Sequence, residues 1–200
     1  MRNRLRLWGA VLVLAAVAAG APAVAQERIQ GDVYTNSRHG IEISKPPSWH
    51  FITAGMIVEL AKRSAGQTSI RGDEDPVKLT GMAVIVSKTT SLGLEVSPHV
   101  ILRVFELKER PSDLAKTCEG LRTGMSDPET VQPTREVRLG NLPAVRLDFR
   151  GYVDGTLIRA VALCLVRERQ AYVVVGQALA ADFDAEARVF DTVLGSFKLK

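Results

Sequence analysis

The sequence is poor in the residues that usually mark a reaction centre. Its 200 residues include two cysteines, three histidines and two tryptophans. The histidines, His39, His50 and His99, share no i,i+2 or i,i+4 spacing, so no zinc site can be assembled from them locally. Each reads as a surface or boundary residue. No Gly-x-Ser-x-Gly turn offers a strained nucleophile. There is no Gly-x-x-x-x-Gly-Lys-Ser/Thr phosphate loop and no Gly-x-Gly-x-x-Gly. The cluster Asp73-Glu74-Asp75 lacks the alternate spacing and distal carboxylate of a calcium loop and reads as a solvated acidic loop. Catalysis, a cofactor and a bound metal are therefore not expected.

An excess of one charge is also missing. Arg2, Arg4 and Arg6 precede an uncharged run from Leu7 to Ala25, and no acid lies in that stretch. Beyond it, 23 of the 26 Lys and Arg face all 22 Asp and Glu. A nucleic-acid binder would carry a strong basic surplus, so nucleic acid is excluded as a partner. A composition of 46% apolar and 24% charged residues fits neither a disordered chain nor a coiled coil.

What is present at the start is an address. The cationic opening, the uncharged run and the small residues of Ala23-Val24-Ala25 form a secretory signal peptide over residues 1–25, with cleavage expected after Ala25. The run is long enough to span a bilayer. Its alanine content, Gly20, Pro22 and the lack of a basic flank argue against a retained anchor. No cysteine sits near the cleavage site for lipid attachment, and no Arg-Arg pair calls for the twin-arginine route. Residues 26–200 then make a single exported domain, periplasmic or secreted, with no transmembrane segment.

The two cysteines suit that compartment. Cys118 shares a helical stripe with Leu114, Leu121 and Met125, while Cys164 lies in the apolar run 160–166 of a strand covered on both faces. A helix lying on that sheet would let Cys118 and Cys164 pair. Closing a loop of about 45 residues stabilises by up to roughly 4 kcal/mol in the chain-entropy model. The other arrangement is two buried free thiols acting as small apolar residues.

Alternation predicts strands at 33–36, 41–44, 49–52, 78–88 and 100–107, with 56–63 open between helix and strand and 64–76 a polar loop. Pro111-Ser112-Asp113 opens a helix that runs to about Met125. Strands follow at 134–139, 144–150, 157–166 and 171–177, and Asp182 starts a last helix with Val189, Phe190, Val193 and Leu194 inward. Tight turns imply antiparallel pairing. The two doubly apolar strands need cover on both faces, which gives an α+β fold, a three-layer α/β/α sandwich around a mainly antiparallel sheet.

Three stretches carry a resemblance. They are Gly40-Ile41-Glu42-Ile43 with Pro47-Ser48-Trp49, then Gly140-Asn141-Leu142-Pro143-Ala144-Val145-Arg146-Leu147, then the ending from Ala171-Tyr172-Val173 through Asp182-Phe183-Asp184 to Leu194-Gly195-Ser196-Phe197. In this order they resemble the PsbP-like family over about residues 33–198. The resemblance implies an antiparallel sheet between helical layers and roles exercised by binding. Family members include an extrinsic photosystem subunit, a Ran-binding protein, envelope proteins and effector chaperones. No shared activity or catalytic residue comes with it, and fold alone licenses no function.

The expectation is thus a non-catalytic periplasmic protein that binds an envelope protein or membrane complex as an assembly or stability factor. The alternative is a small-ligand or lipid-binding module with a pocket between sheet and helix. Candidate partner residues are Trp49, of a type enriched in binding hot spots, and the basic pair Arg146 and Arg150. Each also has a plain structural reading, Trp49 as core and the arginines as part of a mixed-charge surface.

Overall fold

A computed structural model of the chain describes residues 27–65, 74–90, 97–120 and 125–200. The segment where a signal peptide is expected, most of the 64–76 loop and the expected end of the helix opened by Pro111 lie outside the described residues. Strands β1 (Glu27–Gln30), β2 (Val33–Asn36), β3 (Ile41–Ser44) and β4 (His50–Thr53) come first. Helices α1 (Ala54–Ala65) and α2 (Pro76–Thr80), then β5 (Met82–Ser87), β6 (His99–Glu106) and α3 (Leu114–Gly120) follow. The chain continues through β7 (Ser126–Leu139), β8 (Leu142–Val153), β9 (Thr156–Arg167), β10 (Gln170–Leu179), α4 (Phe183–Ser196) and β11 (Lys198–Leu199).

The strands form two sheets, ordered β1-β2-β3-β11 and β4-β5-β6-β10-β9-β8-β7, and every pairing among the described residues is antiparallel. The fold is α+β and mostly antiparallel sheet, as tight turns between neighbouring strands require. The run of β9 shows why its residues are apolar throughout. Val161, Leu163 and Leu165 enter one core, and Ala160, Ala162 and Cys164 enter another on the opposite face. β10 divides likewise, with Tyr172 and Val174 on the first side and Val173 on the second.

The cover of the first face is mixed. It is closed by α4, through the fully buried Phe190, Val193 and Leu194, together with the four-stranded sheet, through Tyr34, Ile41 and Ile43. A second sheet sharing this work with a helix was not legible from periodicity. The opposite face is covered by the seven-residue α3.

The two sheets are bolted together. Tyr34 of β2 places its hydroxyl 3.1 Å from Glu27 Oε1 and 3.2 Å from the Ala83 carbonyl of β5, and accepts from Asn36 Nδ2 at 3.3 Å. Burial holds its ionisation well above the ordinary tyrosine range. At the other end, Lys200 and Lys198 both donate to the half-buried Glu42 and hold its pKa down to about 2, lacing β3 to β11. Gly40 permits that closure, because its φ is +62° and a Cβ there would stand 2.8 Å from the Lys200 carbonyl oxygen.

Residues 56–63, which the sequence leaves open between helix and strand, are helical, within α1. Other expectations need correction. Lys78 to Thr80 belong to α2 rather than to the strand that follows. Asp75 caps this short helix by accepting from the Val77 amide at 3.1 Å, and Pro76 opens it. β7 starts at Ser126 rather than 134, because Pro128 and Pro133 are tolerated on an edge strand whose register shifts past them.

Candidate functional site

Among the described residues, three exposed apolar side chains, Ile29, Met56 and Leu60, gather around a concave surface where β4 turns into α1. Thr53 Oγ1 accepts from the Met56 amide at 3.3 Å, which helps the strand convert directly into a helix. Val58 of that helix is buried. Met56 and Leu60, one turn apart, stay 51% exposed and form a wall. Trp49, Phe51 and Ile52 supply the floor, and Ile29 of β1, 43% exposed, forms the far side. The enclosed volume is about 680 Å³.

Its rim is polar and largely self-matched. Lys45 reaches Asp32 at 2.6 Å and lies 5.7 Å from the Phe51 ring centroid. Glu59 accepts from Lys62 at 2.9 Å, and that bond holds its carboxyl below the usual range, with a smaller contribution from Arg63. Such a groove can take an apolar side chain or a short apolar segment.

A second arrangement has the look of chemistry. His39 and Asp75, both 4% exposed, meet through Nε2 and Oδ2 at 3.0 Å, with Arg38 Nε 3.4 Å from the same oxygen. His39 Nδ1 is buried without a hydrogen-bond partner among the described residues. A histidine oriented by a carboxylate is half of a nucleophile–base system. Here the other carboxylate oxygen is committed to the Val77 amide, and the His39 backbone is held by Asn36 Oδ1 and by the Tyr172 hydroxyl. The pair clamps α2 to the β2–β3 turn. The sequence reading placed His39 at a surface or boundary and Asp75 in a solvated loop; both are buried, because α2 folds the acid back onto the turn.

The residues singled out from sequence do not gather into one site. Cys118 and Cys164 are joined, with Cα atoms 5.9 Å apart, and tie α3 to β9 inside the second core. Trp49 is 3% exposed and packs edge-on against Phe190 with centroids 6.3 Å apart. It is a core residue that lends the groove part of its floor, not a protruding anchor. Arg146 and Arg150 lie across the sheet on β8. Arg146 pairs with Asp191 at 2.6 Å and Arg150 with Glu129 at 2.7 Å, so that surface is mixed in charge rather than basic. Met56, Leu60 and Ile29 escaped sequence reading. An exposed i,i+4 apolar pair was the available signal, but it needed the helix to be recognised first.

No protein-family model and no curated protein matches the chain. Solved structures do. The cyanobacterial PsbP (CyanoP) of Synechocystis sp. PCC 6803 aligns over 92% of this chain and 98% of its own, with 14% identity and a TM-score of 0.52. LpqN of Mycobacterium tuberculosis, described as involved in cell envelope biogenesis, aligns over 80% of this chain and 83% of its own, with 11% identity and a TM-score of 0.53. At such identities the likeness speaks for fold alone, and the fold of this chain is PsbP-like.

Proposed function

We propose that this chain is a non-catalytic binding protein of the cell envelope, acting as an assembly or stability factor for another envelope protein or a membrane complex. The observation that carries this reading is the groove, where Met56, Leu60 and Ile29 remain exposed around an aromatic floor. Apolar residues gathered at one concave place, rather than scattered, mark interaction sites. The address rests on the leader of residues 1–25 and on the disulfide, a bond that persists in oxidising compartments. The envelope role attached to LpqN points the same way. Among the described residues no helix is long and apolar enough to cross a membrane. In this reading the domain is a three-layer α/β/α sandwich with α4 and α3 as outer layers, and the groove occupies the corner where the large sheet ends.

A second reading has the groove holding a small apolar ligand or lipid between β4 and α1. Its volume falls in the range of about 300–1,000 Å³ typical of small-molecule sites. One experiment separates the two. A photocrosslinking residue is placed at position 60, with a control at position 135 on the opposite sheet edge, in cells producing the protein. A discrete protein adduct at 60 and none at 135 supports the first reading. A co-purifying small molecule, with equal adducts at both positions, overturns it for the second.

A further inference from the structure

The groove runs along a sheet edge that is unpaired among the described residues, and that determines the form of what fills it. Among those residues β4 is the outer strand of the seven-stranded sheet and pairs only with β5, and β1 is the outer strand of the other sheet and pairs only with β2. Three successive residues of β4, His50, Phe51 and Ile52, line the groove. Neighbouring side chains on a strand point to opposite faces, so a groove that touches all three passes the strand's edge, where unpaired N–H and C=O groups stand.

The two edges of the large sheet are treated differently by the sequence. β7, the far edge, carries Pro128 and Pro133, several charges and three register shifts, the usual means of discouraging further pairing. β4 has no proline, no lysine and an unbroken register with β5. Its edge is left competent to pair.

We propose that the groove takes an extended segment of a partner protein, which adds a strand to β4, rests apolar side chains on Met56 and Leu60, and turns an acidic residue toward Arg63. This rests on the docking reading above and specifies its geometry. In such an arrangement main-chain hydrogen bonds supply affinity and alternate side chains supply selectivity. The four residues of β4 are bounded by Pro46-Pro47 and by the start of α1 at Ala54, so the added strand is equally short. The acidic preference follows from the rim. Among the described residues of the rim, Glu59 is matched chiefly by Lys62 and Lys45 by Asp32, which leaves the exposed Arg63 as the excess charge.

The test uses three labelled peptides of one sequence, a glutamate followed by alternating valine and threonine. One is unmodified, one is N-methylated at its valines and one at its threonines. Binding to the purified protein is read by fluorescence anisotropy. Only alternate amides of an added strand face β4, so one methylated peptide should lose about tenfold in affinity, the worth of one or two hydrogen bonds, while the other keeps it. Leu60→Glu should weaken the unmodified peptide while leaving the melting temperature in place. Equal affinity for all three peptides overturns strand addition and leaves docking standing. Loss with both methylations, the mark of a helical occupant, also overturns it. No binding by any of the three overturns the docking reading as well.

Discussion

Phe190 of α4 closes directly onto Gly176 of β10: a Cβ at residue 176 would stand 2.8 Å from the ring's Cγ and 2.9 Å from its Cβ and Cδ1. The helix can reach this depth only because the strand offers no side chain there. Phe190 is completely buried and also meets Trp49 and Phe183, so it cannot withdraw without opening the first core. Gly176→Ala should therefore cost about 1–3 kcal/mol, the usual range for overpacking. Pairing it with Phe190→Ala, which removes the Cγ and Cδ1 that the new methyl would meet, should make the two costs less than additive in a double-mutant cycle measured by urea unfolding. Additive costs would show that the close approach is not the cause.

The disulfide should dominate the stability of the second core. Cys118 and Cys164 are 46 positions apart, and releasing that closure costs up to about 4 kcal/mol in the chain-entropy model. Unfolding with and without reductant measures it. Thiol alkylation should leave the unreduced, denatured protein unlabelled.

Asp75→Ala should be among the most damaging single changes outside the two cores. It removes the cap of α2 and strands His39 in a buried site, for a combined loss of about 3 kcal/mol. Asp75→Asn should cost less, because an amide oxygen still accepts from Val77. Equal losses for the two variants would assign the effect to something other than these hydrogen bonds.

His99 predicts a loss of stability on acidification. Burial pushes its pKa below the ordinary 6.5, against the raising effect of its hydrogen bond to the Ser97 carbonyl at 2.7 Å. The unfolded chain therefore takes up a proton before the folded one does. The stability tied to this residue is full above 6.5 and is lost as pH falls from there through the folded-state value. His99→Gln should flatten that part of the profile, seen as urea midpoints that differ less between about pH 7 and pH 5 than in the parent.

How much of this was legible in the sequence depended on the range of the forces involved. The doubly apolar β9 and β10 and the stripe of α4 announce themselves because their periodicity is local. So does the inward face of Cys118. What escaped was set by distant partners. The acidic cluster reads as solvated until Asp75 is seen to meet His39, 36 residues away. β7 reads as broken by Pro128 and Pro133 until its place at the sheet edge is known. The groove is assembled from β1, the segment before β4, β4 itself and α1, and no window of sequence contains it. Trp49 was visible as an aromatic behind two prolines, and only Phe190 settled that it faces inward.

The pairing of β3 with β11 makes completion of the first sheet wait on the last stretch of polypeptide. Leu199 pairs with Ile41 and Lys198 with Glu42, and Ser196 Oγ accepts from the Ser44 amide at 3.0 Å across 152 positions. A growing polypeptide cannot zip this seam until its final residues have been made. Until that tail is available, β3 keeps one edge without its neighbouring strand, and the four-stranded sheet is one member short.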